Sequence, residues 1–142
     1  RALAFYRGVL GFELTQRYGR GAAFVSAGGY HHHIGLNTWE SAGGSPPPPG
    51  TTGLYHLAIL YPTRAALAVA LKRVIEAGVP LEGASDHGVS KSLYGADPDG
   101  NEFEVMWEVP REAWGEYADQ ATIMPLDLEA ELARWGAGAS VQ

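Results

Sequence analysis

The chain has 142 residues, 46% of them hydrophobic and 18% charged, which suits a single domain with one sizeable core. Its formal net charge is −6 and its basic residues are not clustered, so neither a nucleic-acid surface nor an anionic membrane surface is expected. There is no cysteine, which excludes disulfides, thiolate metal sites and a cysteine nucleophile, and fits a cytoplasmic location.

In chain order, residues 1–10 read as a helix ended by Gly11, with Ala2, Phe5, Tyr6, Val9 and Leu10 at helical spacing. No Ser, Thr, Asp or Asn caps this pattern, so further residues are expected before Arg1. Residues 12–19 and 22–28 read as strands separated by turn glycines, and residues 30–40, which carry His31, His32 and His33, as a third. Residues 41–53 form a Gly/Pro/Ser connector unsuited to helix or central strand. Residues 54–62 follow as an apolar strand. Residues 63–78 give the clearest helix, capped by Thr63 and stopped by Gly78. Strands are then expected over 80–88, 89–97 and 101–109, with a tight turn at "DPDG", 97–100. The tail, 110–142, shows a helical pattern at 127–135 and no other clear signal.

The order helix–β–β–β, connector, β–helix–β–β–β suggests a repeat whose first strand is missing from the first copy. When Gly29 is placed on Gly100, His33 falls on Glu104. The division expected is a module at 1–40, the connector at 41–53, a full βαβββ module at 54–109 and the tail at 110–142.

Two residues on the full module stand out. His56 opens its first strand and reads equally well as a core histidine. Glu104 lies on its last strand and, taken alone, reads as a solvent-facing carboxylate. Together on one curved sheet they make two thirds of a 2-His-1-carboxylate set, which leaves coordination positions open for other ligands.

The stretches "FYRGVLGFEL", "GLYHLAIL" and "SLYGADPDGNEFEV" resemble the vicinal oxygen chelate superfamily, which includes glyoxalase I, bleomycin-binding proteins and extradiol dioxygenases. The wording of "HHHIGLNTW" and "DHGVSKSLYGADPDGN" is most similar to single-domain catechol-2,3-dioxygenase-like members. The resemblance implies an α+β fold of two βαβββ modules that form a U-shaped mixed sheet around a cleft. It implies His56 and Glu104 as metal ligands, with a third ligand on a strand before Arg1. Fe(II) is the metal expected, with Zn, Mn or Ni as alternatives.

The same resemblance gives Tyr94, ten residues before Glu104, a contact with bound catecholate. It gives His33, or else His31, an acid–base role toward substrate or O₂; His33 is also a possible substitute ligand. His31 and His87 are candidates for substrate binding, although a solvated turn is the alternative for His87. The function expected is extradiol cleavage of a small aromatic substrate. A glyoxalase-like isomerase or thiol transferase acting on a vicinal-oxygen substrate is one alternative, and a metal-free drug-binding protein is another. Members of the superfamily are often homodimers, so a homodimer is the expected assembly.

Overall fold

The computed structural model describes residues 1–138. The fold is α+β, with two sheets in two compact units.

The first unit comprises residues 1–54 together with the turn 97–101. It opens with a π-helical turn, Ala4–Val9, in which Leu10 N–H donates to Phe5 C=O at 3.1 Å. Phe5, Tyr6 and Leu10 are buried, as their spacing predicts. Gly11, at φ 88°, ends the segment, a conformation that glycine adopts without a Cβ penalty. Strands β1 (Glu13–Tyr18), β2 (Ala22–Ser26) and β3 (Ile34–Asn37) form an antiparallel sheet in that order. A bulge between Leu14 and Gln16 shifts the β1–β2 register.

Tyr6 also ties this unit to the "DPDG" turn. Its hydroxyl donates to Asp97 Oδ2 at 2.8 Å, while Asp97 Oδ1 accepts from Asp99 N–H and Asn101 N–H at 2.8 and 2.9 Å. One carboxylate thus fixes the turn and holds the opening helix. Burial first, and then Asp97, push the Tyr6 phenol far above its ordinary pKa.

The second unit holds a five-stranded sheet, in the order β4 (Leu57–Leu60), β7 (Glu102–Glu108), β6 (Ser90–Ala96), β5 (Leu81–Asp86), β8 (Met124–Pro125). Strands β4 and β7 run parallel; the other pairs are antiparallel. Helix α1 (Arg64–Glu76) connects β4 to β5, and Thr63 Oγ1 caps it by accepting from Ala66 N–H at 3.0 Å. Leu67, Leu71 and Val74 of α1 share the core with Leu93, Phe103 and Val105 of the sheet.

The described part of the tail, residues 110–138, is structured. Strand β8 pairs with β5 and covers that edge of the sheet. Helix α2 (Leu128–Trp135), capped by Asp127, lies beside α1. Glu131 of α2 accepts from both Arg64 Nε, at 2.9 Å, and Arg64 Nη2, and the guanidinium sits over the rings of Trp107 and Trp135. Among the described residues, no helix is long and apolar enough to cross a membrane.

Two strand expectations are corrected. The first concerns residues 30–40, of which only Ile34–Asn37 form a strand. Gly28 and Gly29 adopt positive φ, so the chain is still turning where the histidines lie, and alternation cannot assign faces to His31 and His32. Secondly, β4 begins at Leu57, so His56 immediately precedes the strand. Strand β4 is an edge strand, with Leu60 exposed. Trp39, just past β3, is 65% exposed.

Candidate active site

The candidate site of the second unit starts from strand register. On the paired strands β6 and β7, Tyr94 stands directly opposite Glu104. On the parallel pair β4–β7, Ala58 stands opposite Glu104, and His56, two residues earlier, reaches the same carboxylate. His56 Nε2 lies 3.1 Å from Glu104 Oε2, and Tyr94 Oη–H donates to Glu104 Oε1 at 3.0 Å. Each oxygen of Glu104 therefore has its own partner. Glu104 is only 8% exposed, which corrects the solvent-facing reading. A buried carboxylate needs such partners, because an unpaired charge there is costly.

The chain of contacts continues beyond Tyr94. His87 Nε2 lies 2.9 Å from Tyr94 Oη, and His87 Nδ1 lies 2.8 Å from the Thr122 carbonyl oxygen. His87 is thus engaged on both sides, in contrast to a solvated turn residue. The Thr122 carbonyl only accepts, so His87 Nδ1 carries a hydrogen. Tyr94 has a single hydroxyl hydrogen to share between Glu104 and His87. While that hydrogen points to Glu104, His87 Nε2 must donate to the phenol oxygen. When His87 is neutral, its Nε2 is an acceptor and draws the hydroxyl hydrogen toward itself. Burial, and to a smaller degree the Glu104 charge, raise the Tyr94 phenol above its ordinary pKa.

The remaining candidates fall in the first unit. His33 N–H donates to Val25 C=O at 2.9 Å, and its ring faces back into the β2–β3 turn. Its Nδ1 accepts from Ala27 N–H at 3.3 Å and lies 3.0 Å from Ser26 Oγ, which places the ring hydrogen of neutral His33 on Nε2. His31 and His32 are exposed, with their Nδ1 atoms 2.6 Å apart.

His56 and Glu104 fit a divalent cation as two of its ligands. Donors about 2.1 Å from one ion and at right angles to each other lie about 3 Å apart, close to the separation of this pair. Imidazole and carboxylate are donors of the borderline-to-hard kind. No group of three His, Cys, Asp or Glu able to hold a metal occurs among the described residues. His56 Nδ1 is buried without a hydrogen-bond partner among those residues.

Sequence reasoning did not single out Thr122, nor a place for Tyr117 beside His87. A backbone carbonyl has no residue-type signature, and Tyr117 lies in a segment without periodicity. The Tyr117 ring packs so closely over Gly88 that a Cβ there would sit 2.4 Å from it.

The second unit is a βαβββ module that brings a histidine just before its first strand against a glutamate on its last. A sequence model of the glyoxalase/bleomycin resistance protein/dioxygenase superfamily matches residues 1–105, and the chain belongs to that superfamily. The chain is similar to a catechol-2,3-dioxygenase of Bacillus subtilis (strain 168), with 39% identity over 141 residues, covering 96% of this chain and 48% of that protein. It is also similar to biphenyl-2,3-diol 1,2-dioxygenase 3 of Rhodococcus globerulus, at 33% identity, covering 58% of this chain and 43% of that protein. The chain thus spans about half the length of the curated relatives it matches. Among solved structures, a lactoylglutathione lyase from Agrobacterium tumefaciens aligns at 26% identity with a TM-score of 0.56, covering 80% of this chain and 86% of that one.

Proposed function

We propose that this chain carries the metal-binding and substrate-orienting groups of an extradiol-type dioxygenase that acts on a catechol-like aromatic diol. The observation that carries the reading is the convergence on Glu104, where His56 Nε2 meets one carboxylate oxygen and the Tyr94 hydroxyl the other. The similarity to a catechol-2,3-dioxygenase supports it. His56 and Glu104 would hold the metal, with Fe(II) the metal proposed. When bound, the metal supplies Lewis-acid polarisation of the diol and a redox path to O₂.

The protein's own groups do the rest. Glu104 brings negative charge to the site, and Tyr94 fixes the carboxylate's orientation through Oε1. The Tyr94 phenol stays protonated in the working range, so its one hydrogen can turn from Glu104 to an anionic diol oxygen. His87 is placed to take or return a proton at Tyr94 Oη. His33, with Nε2–H available, is proposed as a further acid–base group and His31 as a substrate contact.

The alignment with a lactoylglutathione lyase favours one second reading, an isomerase of the glyoxalase type that uses Zn, Ni or Mn. Dioxygen separates the two. Fe(II)-loaded protein is expected to consume O₂ with catechols under air and to be inactive under argon. No turnover across a broad catechol panel would overturn the dioxygenase reading.

A further inference from the structure

Residues 110–138 lie beyond the family match, which ends at residue 105, yet two of them reach into the hydrogen-bonded chain that leads to Glu104. Thr122 C=O accepts from His87 Nδ1–H at 2.8 Å. The Tyr117 ring covers Gly88, the residue next to His87, which has φ 74° and no side chain to obstruct the ring. The turn under the ring is itself fixed: Gly88 N–H donates to Asp86 Oδ1 at 2.8 Å, and His87 N–H donates to Ser90 C=O at 2.9 Å. Asp86 is anchored by Lys91 Nζ at 2.5 Å. The backbone of His87 is therefore held from below, and its ring is held by the tail.

We propose that residues 117–122 are a positioning element of this site: they lock His87 as the Nδ1–H tautomer, so that Nε2 is the nitrogen presented to the Tyr94 hydroxyl. The chemistry is that of an imidazole whose two nitrogens have different duties, with one bond setting the role of the other. Without Thr122 C=O the ring is free to carry its hydrogen on Nε2 and to rotate. Neutral His87 then no longer presents an acceptor to Tyr94. The tail acts through His87 and does not itself touch reacting atoms. The tautomer assignment stands on geometry alone; its kinetic consequence rests on the dioxygenase reading.

The test is imidazole ¹⁵N–¹H correlation NMR on the full chain with Zn(II) added, the His87 signals being identified by their loss in His87→Gln. Wild type is expected to show His87 with hydrogen on Nδ1 at neutral pH. Tyr117→Ala and Thr122→Gly, which keep the residue 122 carbonyl but loosen the segment that holds it against His87, are each checked by far-UV circular dichroism and are expected to move that signal toward Nε2–H. With Fe(II) and a catechol, kcat is expected to fall about 10-fold with KM within about twofold, the pattern of a lost transition-state contribution. Hydrogen found only on Nε2 in wild type would overturn the proposal, as would an unchanged His87 signal in the folded variants. If only one variant folds, its spectrum decides. Nδ1–H in wild type, lost in the variants, with no catechol turnover by any of them, would sustain the assignment and overturn the dioxygenase reading instead.

Discussion

Tyr94 and Glu104 face each other as a cross-strand pair on β6 and β7, and their side chains meet at 3.0 Å. Directly opposed residues on antiparallel strands are about 5 Å apart at Cβ, which is within reach for a phenol and a carboxylate. The register of one hairpin therefore delivers both groups together, with the "DPDG" turn fixing that register.

Tyr94→Phe removes the donor to Glu104 and the partner of His87 while it keeps the ring. Buried hydrogen bonds contribute about 1 kcal/mol, so the variant is expected to lose about that much stability. Catechol-dependent O₂ uptake is expected to fall about 100-fold, mostly in kcat. Steady-state kinetics with an oxygen electrode check the expectation. Wild-type kcat in this variant would remove Tyr94 from the proposed mechanism.

His56→Ala and Glu104→Ala are each expected to abolish near-stoichiometric binding of a transition metal, measured by elemental analysis of the folded proteins. Losing one of a pair of ligands costs a cation most of its hold, because a single side chain binds a divalent cation only weakly. Glu104→Gln keeps the volume and discards the charge, and it is expected to behave like Glu104→Ala. Retention of metal by both alanine variants would place the metal elsewhere.

The Tyr6–Asp97 bond makes a prediction about stability and pH. Tyr6→Phe leaves Asp97 with its backbone donors and is expected to cost about 1–2 kcal/mol by urea denaturation. In the native protein the Tyr6 phenol is held above its ordinary value by burial and by Asp97, whereas in the unfolded chain it ionises near pH 10. The native state then binds the extra proton. Stability from this group is complete below about pH 10 and is lost as pH rises beyond it. Wild type should lose stability between about pH 10 and 11 more steeply than Tyr6→Phe. Equal slopes would count against the buried bond.

Arg64 joins two helices and two tryptophans through one guanidinium. Glu131→Ala strands that charge in a half-buried position and is expected to cost about 2 kcal/mol. The Trp135 fluorescence should shift to the red as α2 loosens from α1. An unchanged denaturation midpoint and emission maximum would show that α2 docks through apolar contacts alone.

Much of this protein is legible in local sequence. Helix α1 is set by its apolar spacing and by Thr63 and Gly78. The "DPDG" turn follows from residue types that suit tight turns, and the three strands of the second module follow from alternation between turn signals. His56 and Glu104 stand out because an imidazole and a carboxylate are unusual on apolar strands. These signals are local: each depends on a residue and its neighbours within a few positions. Tertiary structure decided the rest. Glu104 is buried and not solvated because β7 is interior to the sheet and two polar partners meet it there. His87 is engaged because a hairpin turn and a distant segment converge on it, and the partner in that segment is a backbone carbonyl that every residue possesses. The histidine run is a turn and not a strand, because Gly28 and Gly29 redirect the chain before pairing resumes at Ile34. Alternation describes only residues already in a ladder, and hydrogen bonds between remote segments depend on a register that no local pattern contains.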